Sequence, residues 1–381
     1  MAILSAFASI CLLLLVLLDG FETMVLPRRV TRRFRLARFI YRSTWLPWRA
    51  IALRLPPGKR REGFLSFFGP LSILFLFTCW LIGLTVGFGW LHWALATTIK
   101  AQGEAGHLGL YLYMSGTTIF TLGLGDVVPM NTLGRILAVV EAGTGFGFMA
   151  VVIGYLPVLY QAFSRRETII SLLDARAGSP PSGGEFLLRV ARSRDTETVS
   201  LFLQELEHWS AEVLESTLSF PVLSYYRSQH DNQSWLAALT ATLDACALLI
   251  AMVKGIAQHQ AELTFAMARH TVVDLALVIH APPRQETADR LPLDALTNLR
   301  DELRKAGIAL HDEAAAEAKL AELRAMYEPF IIALGRLFVF SVPPVCRTVE
   351  TVDNWQTSAW MRRTAGIGKL GVLPPKDGHF D

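Results

Sequence analysis

Residues 117–129 read TTIFTLGLGDVVP, in which Gly123 and Gly125 alternate with larger residues and are followed by Asp126. Glycines at alternate positions weaken both helices and strands, because they add backbone freedom and provide no side chain for packing. On a water-soluble domain, such a stretch would be a surface turn. Long apolar segments flank it on both sides, so its interpretation depends on whether those segments cross a membrane.

The composition indicates a membrane protein. Of the 381 residues, 52% are hydrophobic and only 18% are charged, whereas soluble domains carry about 25% charged residues. The mean hydropathy is +0.37. The four cysteines are far apart and form no CxxC motif, so neither a disulfide framework nor a zinc or redox site is predicted.

Three segments are predicted to cross the bilayer. Residues 2–18 contain no charge, and the absence of a preceding positive charge favours an uncleaved anchor over a cleaved signal peptide. Residues 71–95 lie within a longer stretch that has no Lys, Arg, Asp or Glu. Residues 133–162 form the third apolar segment, although they include Glu141.

Basic residues predict the orientation. The segment 26–61 contains twelve Lys and Arg residues and no Asp or Glu, so the positive-inside rule places it in the cytoplasm. The N-terminus and residues 100–109 are then outside, and everything after about residue 163 is cytoplasmic. We therefore expect a multi-pass protein of a cell (inner) membrane, of bacterial type.

The TLGLGD stretch lies among about 35 residues, 96–130, between the second and third spans. Non-helical backbone cannot face lipid, because each unpaired peptide group costs several kcal/mol, but it can line water or protein. Backbone carbonyls arranged around an axis can replace the hydration shell of a cation. The position of the stretch thus favours a pore lining over a surface turn.

The stretch resembles the TxGxGD signature of potassium channels, carried here by Thr121, Gly123, Gly125 and Asp126. The resemblance extends over residues 63–162. Within them, 110–120 is similar to the pore helix before the filter and 127–135 to the return toward the inner helix. The TLGLGD stretch, with Leu124 between its two glycines, is similar to the second pore loops of two-pore-domain potassium channels.

The resemblance implies a function and an assembly. Potassium ions would be bound by the backbone carbonyls of Thr121, Leu122, Gly123 and Leu124. Because the chain has one pore loop and no internal repeat, four chains would have to assemble around one axis. The expected activity is passive, potassium-selective permeation. No enzymatic activity and no organic cofactor are expected.

Three positions depart from the family pattern. Leu124 replaces the usual filter tyrosine or phenylalanine, but the ligands come from the backbone and are preserved. Phe120 replaces a threonine and removes a hydroxyl at the inner mouth of the filter. Some relatives pair the filter aspartate with a pore-helix glutamate, and the matching position here is Thr117.

Two inner-helix residues are candidates for gating roles. Gly145 falls where the family has a flexible glycine, and Glu141 lies one helical turn before it. A carboxylate within a membrane is costly and is usually functional. It would be either a buried acid bonded to pore-helix hydroxyls such as those of Ser115, Thr117 or Thr118, or part of a cation-attracting ring in the cavity; the first interpretation is favoured.

The basic segment has helical periodicity. Basic residues that recur every three or four positions are Arg28, Arg32, Arg35, Arg38 and Arg42, and Val30, Phe34, Ala37, Tyr41 and Trp45 occupy the opposite face. A voltage sensor would need more preceding helices. The pattern therefore favours a helix lying on an anionic membrane surface, with Arg28, Arg32, Arg35 and Arg42 facing lipid.

The predicted fold class is an all-α membrane protein with four parts. They are an N-terminal transmembrane helix (1–19), a basic interfacial segment (20–62), a potassium-channel pore domain (63–162) and a helical cytoplasmic domain (163–381). Residues 235–253 are apolar enough for a fourth span, but Asp244 favours a buried core helix. Alternative functions are a non-selective cation channel and a non-conducting membrane receptor or scaffold.

Overall fold

The computed structural model describes residues 1–26, 35–100, 107–193, 196–230, 232–285 and 288–347. It is an all-α membrane protein with a channel pore module, as predicted. The chain divides into two compact units. The first comprises Met1–Ala162 with Ser219–Tyr226, and the second comprises Phe163–Leu218 with the described part of Arg227–Asp381.

The first unit contains three helices that are long and apolar enough to cross a membrane. They are α1 (Ala2–Met24), α4 (Phe68–Ala94) and α6 (Thr132–Ala177), and α6 continues beyond this unit. Helices α2 (Leu36–Ala52) and α3 (Lys59–Ser66) lie between α1 and α4 in the chain. All three predicted spans are therefore helical, although α1 and α6 extend beyond the predicted boundaries.

Helix α1 packs along α4, as an N-terminal helix beside the outer helix of a pore would. Leu13 and Val16 are buried against Gly87 and Gly83 of α4. Asp19 lies beyond the predicted end of the span but is fully buried. It accepts hydrogen bonds from the Trp80 indole and from two backbone amides at the start of α2, which explains how α1 continues past this charge.

The apolar face of α2 packs on protein. Tyr41 and Trp45 are buried, and the Trp45 ring lies 4.8 Å from the Phe68 ring and 5.1 Å from the Tyr225 ring, between centroids. The prediction that this face lies on the membrane surface is therefore wrong for the described residues. Apolar spacing alone cannot distinguish lipid from a protein partner, and here the partner is an aromatic segment almost 180 positions later in the chain.

That aromatic segment is the short 3-10 helix Pro221–Tyr225. It packs against α4, and Phe220 beside it contacts Tyr155 of α6 with ring centroids 5.3 Å apart. The sequence-based boundary assigned all of residues 163–381 to one domain, whereas Ser219–Tyr226 belongs to the first unit. The difference follows from aromatic packing that local periodicity does not reveal.

The second unit is built from helices around one central helix. Its elements are α7 (Gly183–Ser193), α8 (Thr196–Ser219, which ends at the first unit), α9 (Trp235–Met252), α10 (Gln258–Ile279), α11 (Leu293–Lys305), α12 (Glu313–Ala325) and α13 (Glu328–Phe338). Helix α9 could span a membrane by length and composition, but it is almost entirely buried within its own unit. Helix α9 is therefore the buried core helix that was predicted from the presence of Asp244.

Asp244 is satisfied inside this unit. Its Oδ2 lies 2.5 Å from Arg290 Nη2, and its Oδ1 accepts a hydrogen bond from the Tyr327 hydroxyl at 2.5 Å. Arg290 also contacts Glu328 at 2.9 Å. A buried charge is tolerated when it is paired and hydrogen-bonded, so this network allows a carboxylate in the middle of the apolar helix.

Candidate functional site

The pore loop follows the carboxyl end of helix α5, which spans Leu108–Ile119. The Thr117 carbonyl accepts hydrogen bonds from the amides of Leu122 at 2.8 Å and Gly123 at 3.2 Å. On the far side of the loop, strand β2 (Val128–Pro129) pairs with β1 (Ile99–Lys100), antiparallel. Both ends of the TLGLGD loop are thus held by backbone contacts.

The loop backbone alternates in handedness. Thr121, Gly123 and Gly125 have φ values of 57°, 55° and 79°, and Leu122 and Leu124 between them do not have positive φ. A chain with alternating signs of φ can direct successive carbonyls to one side. A Cβ at Gly123 or Gly125 would meet nothing within 4 Å in the single chain. Within the single chain, glycine is therefore favoured here by the backbone conformation and not by a lack of space.

The apolar side chains of the loop are exposed on the single chain. Leu122, Leu124 and Phe120 have 62%, 63% and 49% of their surfaces exposed. Exposed apolar residues beside a membrane helix face either lipid or another chain. The loop of one chain therefore presents an exposed apolar surface.

Asp126 has a pore-helix partner that the sequence did not predict. The Tyr113 hydroxyl donates a hydrogen bond to Asp126 Oδ2 at 2.8 Å. Thr117, which matches the glutamate position of some relatives, instead donates to the Met114 carbonyl in its own helix. The contact between Asp126 and the pore helix is therefore made by Tyr113, which lies four residues before Thr117 and so one turn away on the same helix face.

Glu141 is fully buried where α4, α5 and α6 meet. Its Oε1 is hydrogen-bonded to the Ser115 hydroxyl of the pore helix, one of the three partners that the sequence suggested. Its Oε2 lies 3.5 Å from Nε2 of His92 on α4, which is also fully buried. Full burial inside one chain is what a buried acid requires, whereas a cavity ring would need exposure.

Sequence reasoning did not identify His92 as part of this site. The available signal was that it is the one histidine in an apolar stretch without Lys, Arg, Asp or Glu, residues 64–98. Its Nδ1 lies 3.1 Å from Thr97 Oγ1, at the end of the outer helix. The His92 ring thus lies between Thr97 and the Glu141 carboxyl group.

Gly145 provides close packing within a continuous helix. A Cβ at this position would collide with the backbone carbonyl of Ile119, the last residue of the pore helix, whereas Gly143 and Gly147 have open space. The helix continues through Gly145 without a break. The structure therefore shows a steric requirement at the position where the resemblance implied a flexible glycine.

The predicted lipid-facing arginines differ in position. Arg28 and Arg32 lie outside the described residues. Arg35 is directed to protein: its Nη2 donates to Thr23 Oγ1 at 3.2 Å, and its Nε lies 3.9 Å from Glu22 Oε2 of α1. We therefore do not retain Arg35 as lipid-facing. Arg42 is exposed on the face of α2 opposite the aromatic packing.

The comparisons with known proteins support a channel. A family model described as "Ion channel" matches residues 73–161, which include α5, the pore loop and most of α4. A similar curated protein is the uncharacterized membrane protein YdjJ of Bacillus subtilis (strain 168), 22% identical over 187 residues. That alignment covers 47% of this chain and 52% of YdjJ. No solved structure matches the chain.

Together, the fold and the family match define the class of protein. The pore module is that of an ion channel, and the chain is a membrane protein. The chain spans about half the length of the curated relative that it matches.

Proposed function

We propose that this protein is a potassium-selective channel made of four identical chains. The observation that carries the proposal is the alternation of backbone handedness along Thr121–Gly125, in a loop fixed to the end of a pore helix. Four such loops around one axis would provide rings of carbonyls that match a dehydrated potassium ion. The ligands are the carbonyls of Thr121, Leu122, Gly123 and Leu124.

The assembly argument rests on the exposed residues. Phe120, Leu122 and Leu124 are exposed on the single chain, as are Ile136, Val139 and Phe146 on α6. A single loop can surround no ion, and the chain contains one such loop. Four-fold association would cover these residues and complete the filter. The orientation that we propose has the N-terminus outside and the second unit in the cytoplasm.

The test is potassium flux into liposomes that contain the purified chain, with sodium as the comparison. We expect potassium-dependent flux and little sodium flux. Gly123→Ala should abolish selective flux because alanine disfavours positive φ. Gly143→Ala is the matched control, since that helical glycine has no close neighbour. Equal sodium flux would support a non-selective cation channel, and no flux would support a receptor or scaffold.

We also propose that the outer face of α2 contacts anionic lipid. Arg38 and Arg42 are exposed there beside Phe39 and Leu46, which are 61% and 56% exposed. Basic side chains next to exposed apolar ones suit the headgroup region, where each contributes about 1 kcal/mol near an anionic surface. Among the described residues, the proposed lipid-facing arginines are therefore Arg38 and Arg42, and Arg35 is not one of them.

The lipid proposal is tested with the double variant Arg38→Gln/Arg42→Gln. Wild-type flux should respond to added anionic lipid, and the double variant should lose that response. Arg304→Gln/Lys319→Gln is the control, because it removes two exposed basic groups from the second unit. An unchanged lipid response in the α2 variant would contradict the proposal.

A further inference from the structure

The buried group of Glu141, Ser115 and His92 joins three elements of the pore module. Ser115 belongs to the pore helix, His92 to α4 and Glu141 to α6. All three side chains are fully buried within one chain. Their environment therefore does not depend on a neighbouring subunit, and the protons in the cluster can be assigned from the geometry of this chain.

The Ser115 hydroxyl has two neighbours but only one proton. Its Oγ lies 2.8 Å from the Thr85 carbonyl oxygen of α4 and is also hydrogen-bonded to Glu141 Oε1. A carbonyl oxygen accepts and cannot donate. With a carboxylate at Glu141, the one hydroxyl proton would be shared between two acceptors. Two full hydrogen bonds require that Ser115 donates to Thr85 and receives a proton from Glu141. Glu141 must then be a carboxylic acid and not a carboxylate.

The contact with His92 leads to the same assignment. His92 Nε2 and Glu141 Oε2 are 3.5 Å apart, whereas a charge-assisted hydrogen bond between them would be about 2.7–2.9 Å long. Neither atom has a hydrogen-bond partner among the described residues. An imidazolium–carboxylate pair would close this distance. A neutral imidazole beside a neutral acid leaves no uncompensated charge in the buried cluster.

No other described group on these elements can balance a charge at Glu141. The tyrosines of the pore helix are used elsewhere, since Tyr111 donates to the Thr97 carbonyl and Tyr113 donates to Asp126. Between residues 132 and 164, the other ionisable groups of α6 are Arg135, which is directed to the Pro129 carbonyl, and the tyrosines Tyr155 and Tyr160. His92 is the one ionisable side chain of α4 near the cluster.

We propose that Glu141 holds a proton in the conducting channel and that this proton joins the pore helix to both spanning helices. Losing the proton at alkaline pH would leave a buried carboxylate and one hydroxyl proton for two acceptors, so Ser115 could no longer make full hydrogen bonds to both Glu141 and Thr85, and the attachment of α5 would loosen. The filter loop begins two residues after α5 ends, so the release of α5 reduces conduction. The protonation stands on the geometry alone, and the effect on conduction rests on the proposed function.

The protonation is tested by infrared spectroscopy of the purified full chain in liposomes. A carboxylic acid C=O stretching band should be present near neutral pH in the wild type and absent in Glu141→Gln, and it should disappear at alkaline pH. Because Ser115 accepts from the acid, Ser115→Ala should lose the band at lower pH than the wild type. A band that is missing near neutral pH in the wild type would overturn the protonation, and a band that persists to higher pH in Ser115→Ala would overturn the donation from Glu141 to Ser115.

The effect on conduction is tested by potassium flux as a function of pH. We expect wild-type flux to be lost at alkaline pH, and Glu141→Gln, which keeps a neutral donor, to retain flux there. If both proteins lose flux in parallel, the proposed role in conduction is wrong. If neither conducts at any pH while the infrared band behaves as expected, the proposed channel function fails and the protonation stands. Ser115→Ala provides a second variant should Glu141→Gln not fold.

Discussion

The Tyr113 hydroxyl donates a hydrogen bond to the Asp126 carboxylate at 2.8 Å and so connects the pore helix to the end of the pore loop. Asp126 Oδ1 also accepts from the Val127 amide at 3.0 Å. The aspartate is thus held from both sides. A side chain of the pore helix fixes the point at which the loop turns toward β2.

Tyr113→Phe should weaken this connection without changing the fold. The variant keeps the aromatic ring and removes the hydroxyl that donates to Asp126. We expect conduction in low potassium to decline severalfold faster than in the wild type, because the outer end of the loop has lost a support. The measurement is the time course of flux after potassium is lowered, and identical time courses would contradict the role of Tyr113.

Gly145→Ala should destabilise the pore module, whereas Gly143→Ala should not. A methyl group at Gly145 collides with the Ile119 carbonyl, and backbone cannot yield as a flexible side chain does. Overpacking of this kind costs about 1–3 kcal/mol, so the Tm in detergent should fall. Gly143 has open space. A similar Tm for the two variants would show that the helices are not in close contact at Gly145.

Asp19→Ala should loosen α1 from the rest of the first unit. The substitution leaves the Trp80 indole and the amides of Leu36 and Ala37 without their acceptor. Each buried donor that loses its partner costs about 1–3 kcal/mol. Ser5→Ala is the control, because it removes the partly exposed acceptor of the Trp90 indole on the same helix pair. Thermal unfolding in detergent should show a larger loss for Asp19→Ala.

Cys346 should be unreactive in the folded protein. Burial raises the pKa of its thiol to about 12, and the thiolate is the form that reacts. In a variant that retains only this cysteine, maleimide labelling near neutral pH should be slow and should become rapid after unfolding. Equal rates in folded and unfolded samples would contradict the burial of Cys346.

The pore module was largely predictable because its signals are local. Apolar runs indicated the spanning helices, and alternating glycines between them indicated the loop. The end of α1 was not predictable, because Asp19 would end a span unless partners far along the chain satisfied it. The environment of the apolar face of α2 was not predictable either, because its partner Tyr225 is also far along the chain.

Pairings across the pore module were only partly predictable. The link from Glu141 to Ser115 was among the suggested contacts, since both residues lie in segments expected to pack together. His92 and Tyr113 were missed because neither spacing nor composition shows which side chains meet when helices pack. The two-unit division with Ser219–Tyr226 in the first unit depends on long-range aromatic contacts of this kind.

The central claim is tested most directly by the reversal potential of the purified protein in a planar bilayer, with potassium on one side and sodium on the other. The proposed filter predicts current that reverses at a potential far from zero, with the sign set by the potassium gradient, because the carbonyl rings admit potassium in preference to sodium. A reversal potential near zero would show that the pore does not discriminate between the two ions and would contradict the assignment of Thr121–Asp126 as a potassium filter.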